Sequence, residues 1–138
     1  MKLLSLRNEG IVSQALWALG NIAHDNAMLR DAILQENAVA DIVTLYKAIS
    51  TKTSLYRHVA WALRNLCGGT VHLLSLLRQT HILQPEPDLQ YIKAALPVLA
   101  SLLECDQTDV HYDTLKALAT AASDSVDRIQ VCDRITGH

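Results

Sequence analysis

The chain has 138 residues, half of them apolar, with no Phe, five Gly and three Pro. That is enough for one domain with a core of Leu, Ala, Val and Ile, and too few turn residues for a strand-dense fold. A formal net charge of −2 with no block of like charges excludes the basic stripe of a nucleic-acid binder, and no apolar run approaches the ~18 residues of a membrane span.

Residues 2–6 read as the end of a helix, and Asn8-Glu9-Gly10 as a turn. Val12, Ala15, Leu16, Leu19, Ile22 and Ala23 carry the apolar spacing of a long helix from Ile11 to His24. Asp25-Asn26 ends it and can cap a short helix marked by Met28, Leu29, Ala32 and Ile33. Gln35-Glu36-Asn37 reads as a tight turn, Asn37 tolerating a left-handed conformation, and a third helix follows from about Val39 to Ile49. After a polar loop at 50–53, a long helix from Ser54 to Cys67 is stopped by Gly68-Gly69. The Leu-rich stretch from Val71 to Leu83 reads as helical, broken at Gln84-Pro85-Glu86-Pro87. Short helices follow from Leu89 to Ala95 and from Val98 to Leu103, with Pro97 in the first turn of the latter. A loop at 106–108, a long helix from Val110 to Ala122, a turn at 124–127 and a short helix from Arg128 to Ile135 complete the chain.

The order of short, medium and long helices restarts. Trp17-Ala18-Leu19-Gly20-Asn21 returns as Trp61-Ala62-Leu63-Arg64-Asn65, 44 residues on, within the ~40–47 of armadillo and HEAT units. In each copy a Trp precedes an Asn by four residues, so indole and amide share one helix face. Gln14, Trp17, Asn21 and Asp25 fall within an arc of about 80° at ~100° per residue, as a groove wall requires. Stacked in parallel, such helices form a ladder of Trp and Asn. The third long helix puts Lys116 in the Trp place, 55 residues after Trp61. The surplus marks 70–90 as an insertion between repeat-like units at about 1–25, 26–68 and 88–124, with another beginning at 125–138.

The segment from Gln14 to Asp25 with Leu29-Arg30-Asp31 resembles an armadillo repeat of the importin-α (karyopherin-α) family. Leu55 to Cys67 resembles the next repeat; Ala94 to Leu99 and Asp127 to Gln130 resemble the one after. The resemblance implies an all-α, right-handed superhelical solenoid of about two armadillo repeats plus flanking helices. It also implies a nuclear-import adaptor, shared between cytoplasm and nucleus, that binds basic nuclear localisation signal peptides in an extended form. On that implication Trp17 and Trp61 sandwich the stems of Lys and Arg side chains, and Asn21 and Asn65 clamp the peptide backbone. Asp25 receives a lysine, and Gln14 and Asp113 add polar contacts one turn before the Trp position. A cation over an exposed indole gains roughly 0.5–1 kcal/mol, and an amide satisfies a peptide N–H and C=O together.

Departures from the family pattern favour a second reading, an armadillo scaffold or degenerate adaptor without cargo. Lys116 replaces a Trp and would repel a basic peptide; Thr120 replaces a Tyr, His24 a Gly, His58 an Asn and Gly68 an Arg. The basic segment that engages importin-β is not seen in this chain, so importin-β binding is not expected from it. A solenoid needs polar caps at its ends, so Leu3, Leu4, Val131 and Ile135 are expected to expose apolar surface and allow self-association. Trp17 and Trp61 have a core reading beside the groove one. Asn21 and Asn65 have one as bonds within the stack, Asp25 as a helix cap and Asp113 as a solvated acid. Asp109, His111 and Asp113 lie two apart along a helix and do not converge on a metal. No metal site, cofactor or enzymatic activity is expected, since no catalytic constellation is visible. Cys67, Cys105 and Cys132, odd in number and far apart, read as buried free thiols in a reducing compartment.

Overall fold

A computed structural model describes residues 8–49, 54–68, 86–122 and 126–137. The anticipated helices at 2–6 and 71–83, the polar loop at 50–53 and most of the insertion at 70–90 lie outside the described residues, as do Leu3 and Leu4.

The first long helix, α1 (Glu9–Asp25), starts two residues earlier than expected, because Asn8-Glu9-Gly10 is an N-cap and first turn. The Asn8 side chain accepts from the Ile11 N–H at 3.1 Å, satisfying one of the donors a helix start leaves open. Asn26 repeats the device for α2 (Ala27–Gln35), accepting from the Met28 N–H at 2.7 Å. Asn37 adopts φ 59°, ψ 28°, the left-handed conformation its short polar side chain tolerates, and so turns the chain into α3 (Ala38–Ala48). The second long helix is α4 (Leu55–Cys67).

Asp88 caps the one-turn helix α5 (Leu89–Ile92), which tightens into a 3₁₀ turn at Lys93–Ala95. Pro97 stands in the first turn of α6 (Leu96–Leu102), where its missing N–H costs nothing. The third long helix, α7 (Thr108–Ala121), and α8 (Val126–Thr136) follow. No strand occurs among the described residues.

The long helices pack in a row, α1 on α4 and α4 on α7. Burial follows position in that row. Nine of the thirteen residues of α4 are buried, including Leu55, Val59, Leu63 and Leu66. By contrast, α1 buries only Val12, Leu16, Gly20 and Ala23 of its seventeen. Ile22, expected on the apolar face, is exposed together with Ile11 and Ala18 on the side of α1 turned away from α4. Behind the row, α3 packs on α4 and on the 3₁₀ turn, with the Tyr46 and Tyr56 rings 5.2 Å apart. Helix α6 packs on α7 and α8; Val131 and Ile135 are half-buried against this core.

Two arginines tie the layers together at helix C-termini, where carbonyls lack partners and the helix dipole is negative. Arg30 on α2 is fully buried; its Nη1 donates to the Gly68 carbonyl at the end of α4 at 2.7 Å, and its Nε donates to Asp31 at 2.9 Å. Arg128 on α8 donates to the Ala121 carbonyl at the end of α7 at 3.0 Å and to the Pro87 carbonyl at 3.2 Å.

Candidate functional site

The row of long helices leaves a groove of about 560 Å³. Trp17 of α1 and Arg57, His58 and Trp61 of α4 line it, and Thr108, Asp109, Tyr112 and Asp113 of α7 form its far wall. Trp17 is 53% exposed. Trp61 is partly covered, since its indole lies against α1 at Gly20. A Cβ on Gly20 would fall 2.6 Å from the Trp61 Nε1 and 2.7 Å from Cδ1, closer than real atoms approach. Glycine at that point of α1 is therefore what admits the ring. The Trp61 Nε1 is buried and has no hydrogen-bond partner among the described residues.

The side chains read from the sequence separate into two groups. Trp17, Trp61 and Asp113 line the groove; Gln14, Asn21, Asp25 and Asn65 do not. Gln14 and Asp25 are exposed on α1, and Asn21 is half-buried with no side-chain hydrogen bond among the described residues. Asn65 is 6% exposed, and its Nδ2 donates to the Trp61 carbonyl one turn back at 3.0 Å. Asp113 is buried rather than solvated, at 8% exposure, and accepts from the Arg64 Nη1 at 2.8 Å. Lys116 is exposed on α7 and lies outside the groove lining.

Sequence reasoning passed over Arg57, Asp109 and Tyr112, which line the groove, and Arg64, which packs against its lining residues Trp61, Tyr112 and Asp113. Arg57 pairs with Asp109 at 3.6 Å, both well exposed, a surface pair worth little. Arg64 is held more tightly. Besides Asp113, its guanidinium carbon lies 5.6 Å from the Trp61 ring centroid and 5.3 Å from that of Tyr112, within cation–π range of both. The two ion pairs occur in the same order along α4 and α7, so these helices run parallel. They also set two arginines of α4 against two aspartates of α7 beside the groove. The one visible signal was Arg64, a long cation in the place where the first Trp/Asn copy has Gly20. Among the described residues no three His, Cys, Asp or Glu side chains gather to hold a metal, and no helix is long and apolar enough to cross a membrane.

No protein-family model matches the chain. It is 33% identical over 130 residues to importin subunit alpha-6 of Arabidopsis thaliana, an alignment covering 94% of this chain and 21% of that protein. It is 30% identical over 130 residues to importin subunit alpha-1b of Oryza sativa subsp. japonica, covering 94% and 22%. The chain thus spans about a fifth of the length of these curated relatives. Among solved structures, a designed armadillo repeat protein in complex with the peptide (KR)4 superposes with a TM-score of 0.74 at 20% identity, covering 99% of this chain and 50% of that one. The fold is that of an armadillo-repeat solenoid, of about two repeats with flanking helices.

Proposed function

From a chain that belongs by sequence to the importin-α family, matching about a fifth of those subunits' length, we propose that the groove binds basic, extended peptides of the nuclear localisation signal class. The observation that carries this reading is the shared groove of Trp17 and Trp61, with the Trp17 indole largely open to water. Two indoles on long helices packed side by side hold apolar faces for the stems of Lys or Arg side chains, and their π-faces attract the cationic heads. Asn21, half-buried one turn on from Trp17 on α1 and outside the groove lining itself, supplies an amide to a peptide backbone that continues along α1. Gln14 and Asp25 extend the polar edge of α1, and Asp109 supplies acceptor charge from the α7 wall. The (KR)4 peptide held by the designed armadillo protein is a ligand of the same chemistry. Such a role belongs to protein import, with passage between cytoplasm and nucleus, and to binding rather than catalysis.

A fluorescence-anisotropy titration with labelled (KR)4 tests this reading. Wild-type protein is expected to bind, to lose affinity as salt rises, and to lose binding altogether in the Trp17→Ala/Trp61→Ala double variant. Equal binding by the double variant would remove the indole mechanism.

One observation favours the alternative, an armadillo scaffold or adaptor relative that carries no cargo. The aspartates of the α7 wall already face arginines of α4, which lowers the groove's attraction for a cationic peptide. A scaffold of this kind would show neither a preference for basic peptides nor a salt dependence in the same titration.

A further inference from the structure

The side chains around Arg64 have the composition of a binding site for a guanidinium group. An indole, a phenol ring and a carboxylate converge on it, the ring centroids at 5.6 Å and 5.3 Å and the carboxylate oxygen at 2.8 Å. The carboxylate, Asp113, is itself buried, so its charge is little screened by water. Three side chains from two helices build this seat: Trp61 on α4, and Tyr112 and Asp113 on α7. The cation that fills it comes from the protein.

We propose that Arg64 is a built-in occupant of a cation seat and that it ends the peptide groove at this point. The proposal deepens the peptide-binding reading and rests on it for the identity of the outside ligand. The repeat explains how the seat arose. On α1, Gly20 leaves room for the Trp61 indole of the next long helix. Arg64 is its equivalent on α4, and the equivalent of Trp61 on α7 is Lys116. No indole stands there to need the room, and the Arg64 side chain takes it, crossing to Asp113. Tyr112, Asp113 and the open face of Trp61 would otherwise accept a Lys or Arg of a bound peptide. With Arg64 in place, the Tyr112 and Asp113 end of the groove takes no second cationic side chain, and the gap between Trp17 and Trp61 remains.

The test compares wild type, Arg64→Ser and Arg57→Ser for binding of labelled (KR)4 by anisotropy at low salt, with far-ultraviolet circular dichroism confirming the helical fold of each. Arg57→Ser removes the same charge from the other arginine of α4, one that lines the groove, and frees Asp109, and so measures the gain from charge removal without opening the seat. Arg64→Ser is expected to bind at least threefold more tightly than Arg57→Ser. Arg64→Gln, close in length and uncharged, is expected to gain in the same direction and replaces Arg64→Ser should that variant lose its helical signal. Equal gains from the Arg57 and Arg64 variants, or no gain from Arg64→Ser, would overturn the seat. Binding by wild type without a further gain in Arg64→Ser overturns the seat and leaves the peptide-binding reading standing. Binding by Arg64→Ser but not by wild type supports the seat and removes that reading for the native chain. Absence of binding in all variants removes both.

Discussion

Gly20 of α1 and Trp61 of α4 are in direct contact: the indole Nε1 lies 2.6 Å from where a side chain on Gly20 would begin. Neighbouring repeats are thus locked together at the rung itself, and the orientation of Trp61 in the groove depends on a missing methyl group on another helix.

Gly20→Ala sets two effects against each other. Alanine in a helix interior gains about 1 kcal/mol over glycine. Forcing a methyl into occupied space typically costs about 1–3 kcal/mol. The indole is rigid and backed by α4, so the clash wins, and we expect a net loss of about 1 kcal/mol. In a Trp17→Phe background, where Trp61 alone reports, thermal denaturation should show a lower midpoint, and the emission should shift to the red as the ring swings into water. A more stable variant with unmoved emission would show that the indole does not rest on α1.

The two asparagines of the repeated motif should respond differently to truncation. The Asn65 amide is buried and bonded to the Trp61 carbonyl, so Asn65→Ala should lower stability by about 1–2 kcal/mol. Asn21 is half-buried and makes no side-chain hydrogen bond among the described residues. Asn21→Ala should therefore stay within about 0.5 kcal/mol of wild type while weakening (KR)4 binding. Urea unfolding and peptide titration on both variants separate the roles. Equal stability losses would mean that the motif's amides serve the stack in both repeats.

That difference shows where the sequence was readable. Helix positions followed from apolar spacing and capping residues, because Asn26, Asn37 and Pro97 act on the chain next to them and their chemistry is local. The doubled Trp/Asn spacing placed both indoles on long helices that pack side by side. What stayed hidden depends on contacts between repeats. The pairing of Arg64 with Asp113 joins residues 49 apart, and nothing in the stretch around either names the other. The same holds for the burial of Asn65. Its sequence neighbours match those of Asn21, but α4 lies between two other long helices and α1 packs on one, so equivalent letters meet different surroundings.

Stability should decline in alkali through Cys67. Burial pushes this thiol up to about 12 from an ordinary value of 9.0. Below pH 9 both folded and unfolded chains keep the proton, and the pH does not matter to this group. Above it the unfolded chain ionises first, which favours unfolding by up to ~1.4 kcal/mol per pH unit until the folded thiol titrates as well. Burial also raises Cys132 and Tyr56, which act in the same direction. Urea midpoints at pH 8 and pH 10.5 should therefore fall, and fall less in Cys67→Ala. An unchanged slope in that variant would show that Cys67 does not carry the effect. The same burial should leave Cys67 unmodified by iodoacetamide under native conditions, while the less buried Cys105 reacts first.

The equivalence of Gly20 with Arg64 and of Trp61 with Lys116 predicts a coupled pair. A third indole at position 116 would need the room on α4 that Gly20 provides on α1, and Arg64 occupies that room. Lys116→Trp alone should therefore set its ring against the Arg64 side chain and lower stability by about 1–3 kcal/mol, as overpacking does. Arg64→Gly alone should also destabilise, through the loss of the Asp113 pair and the helix cost of glycine. Together they should recover part of both losses, giving a favourable coupling of about 1 kcal/mol or more in a double-mutant cycle, well above the ~0.3–0.5 kcal/mol within which independent sites add. The double variant should also bind (KR)4 more tightly than either single one, because a third indole then stands in line with Trp17 and Trp61. Strictly additive stabilities would show that positions 64 and 116 do not meet and that the repeat equivalence fails at α7.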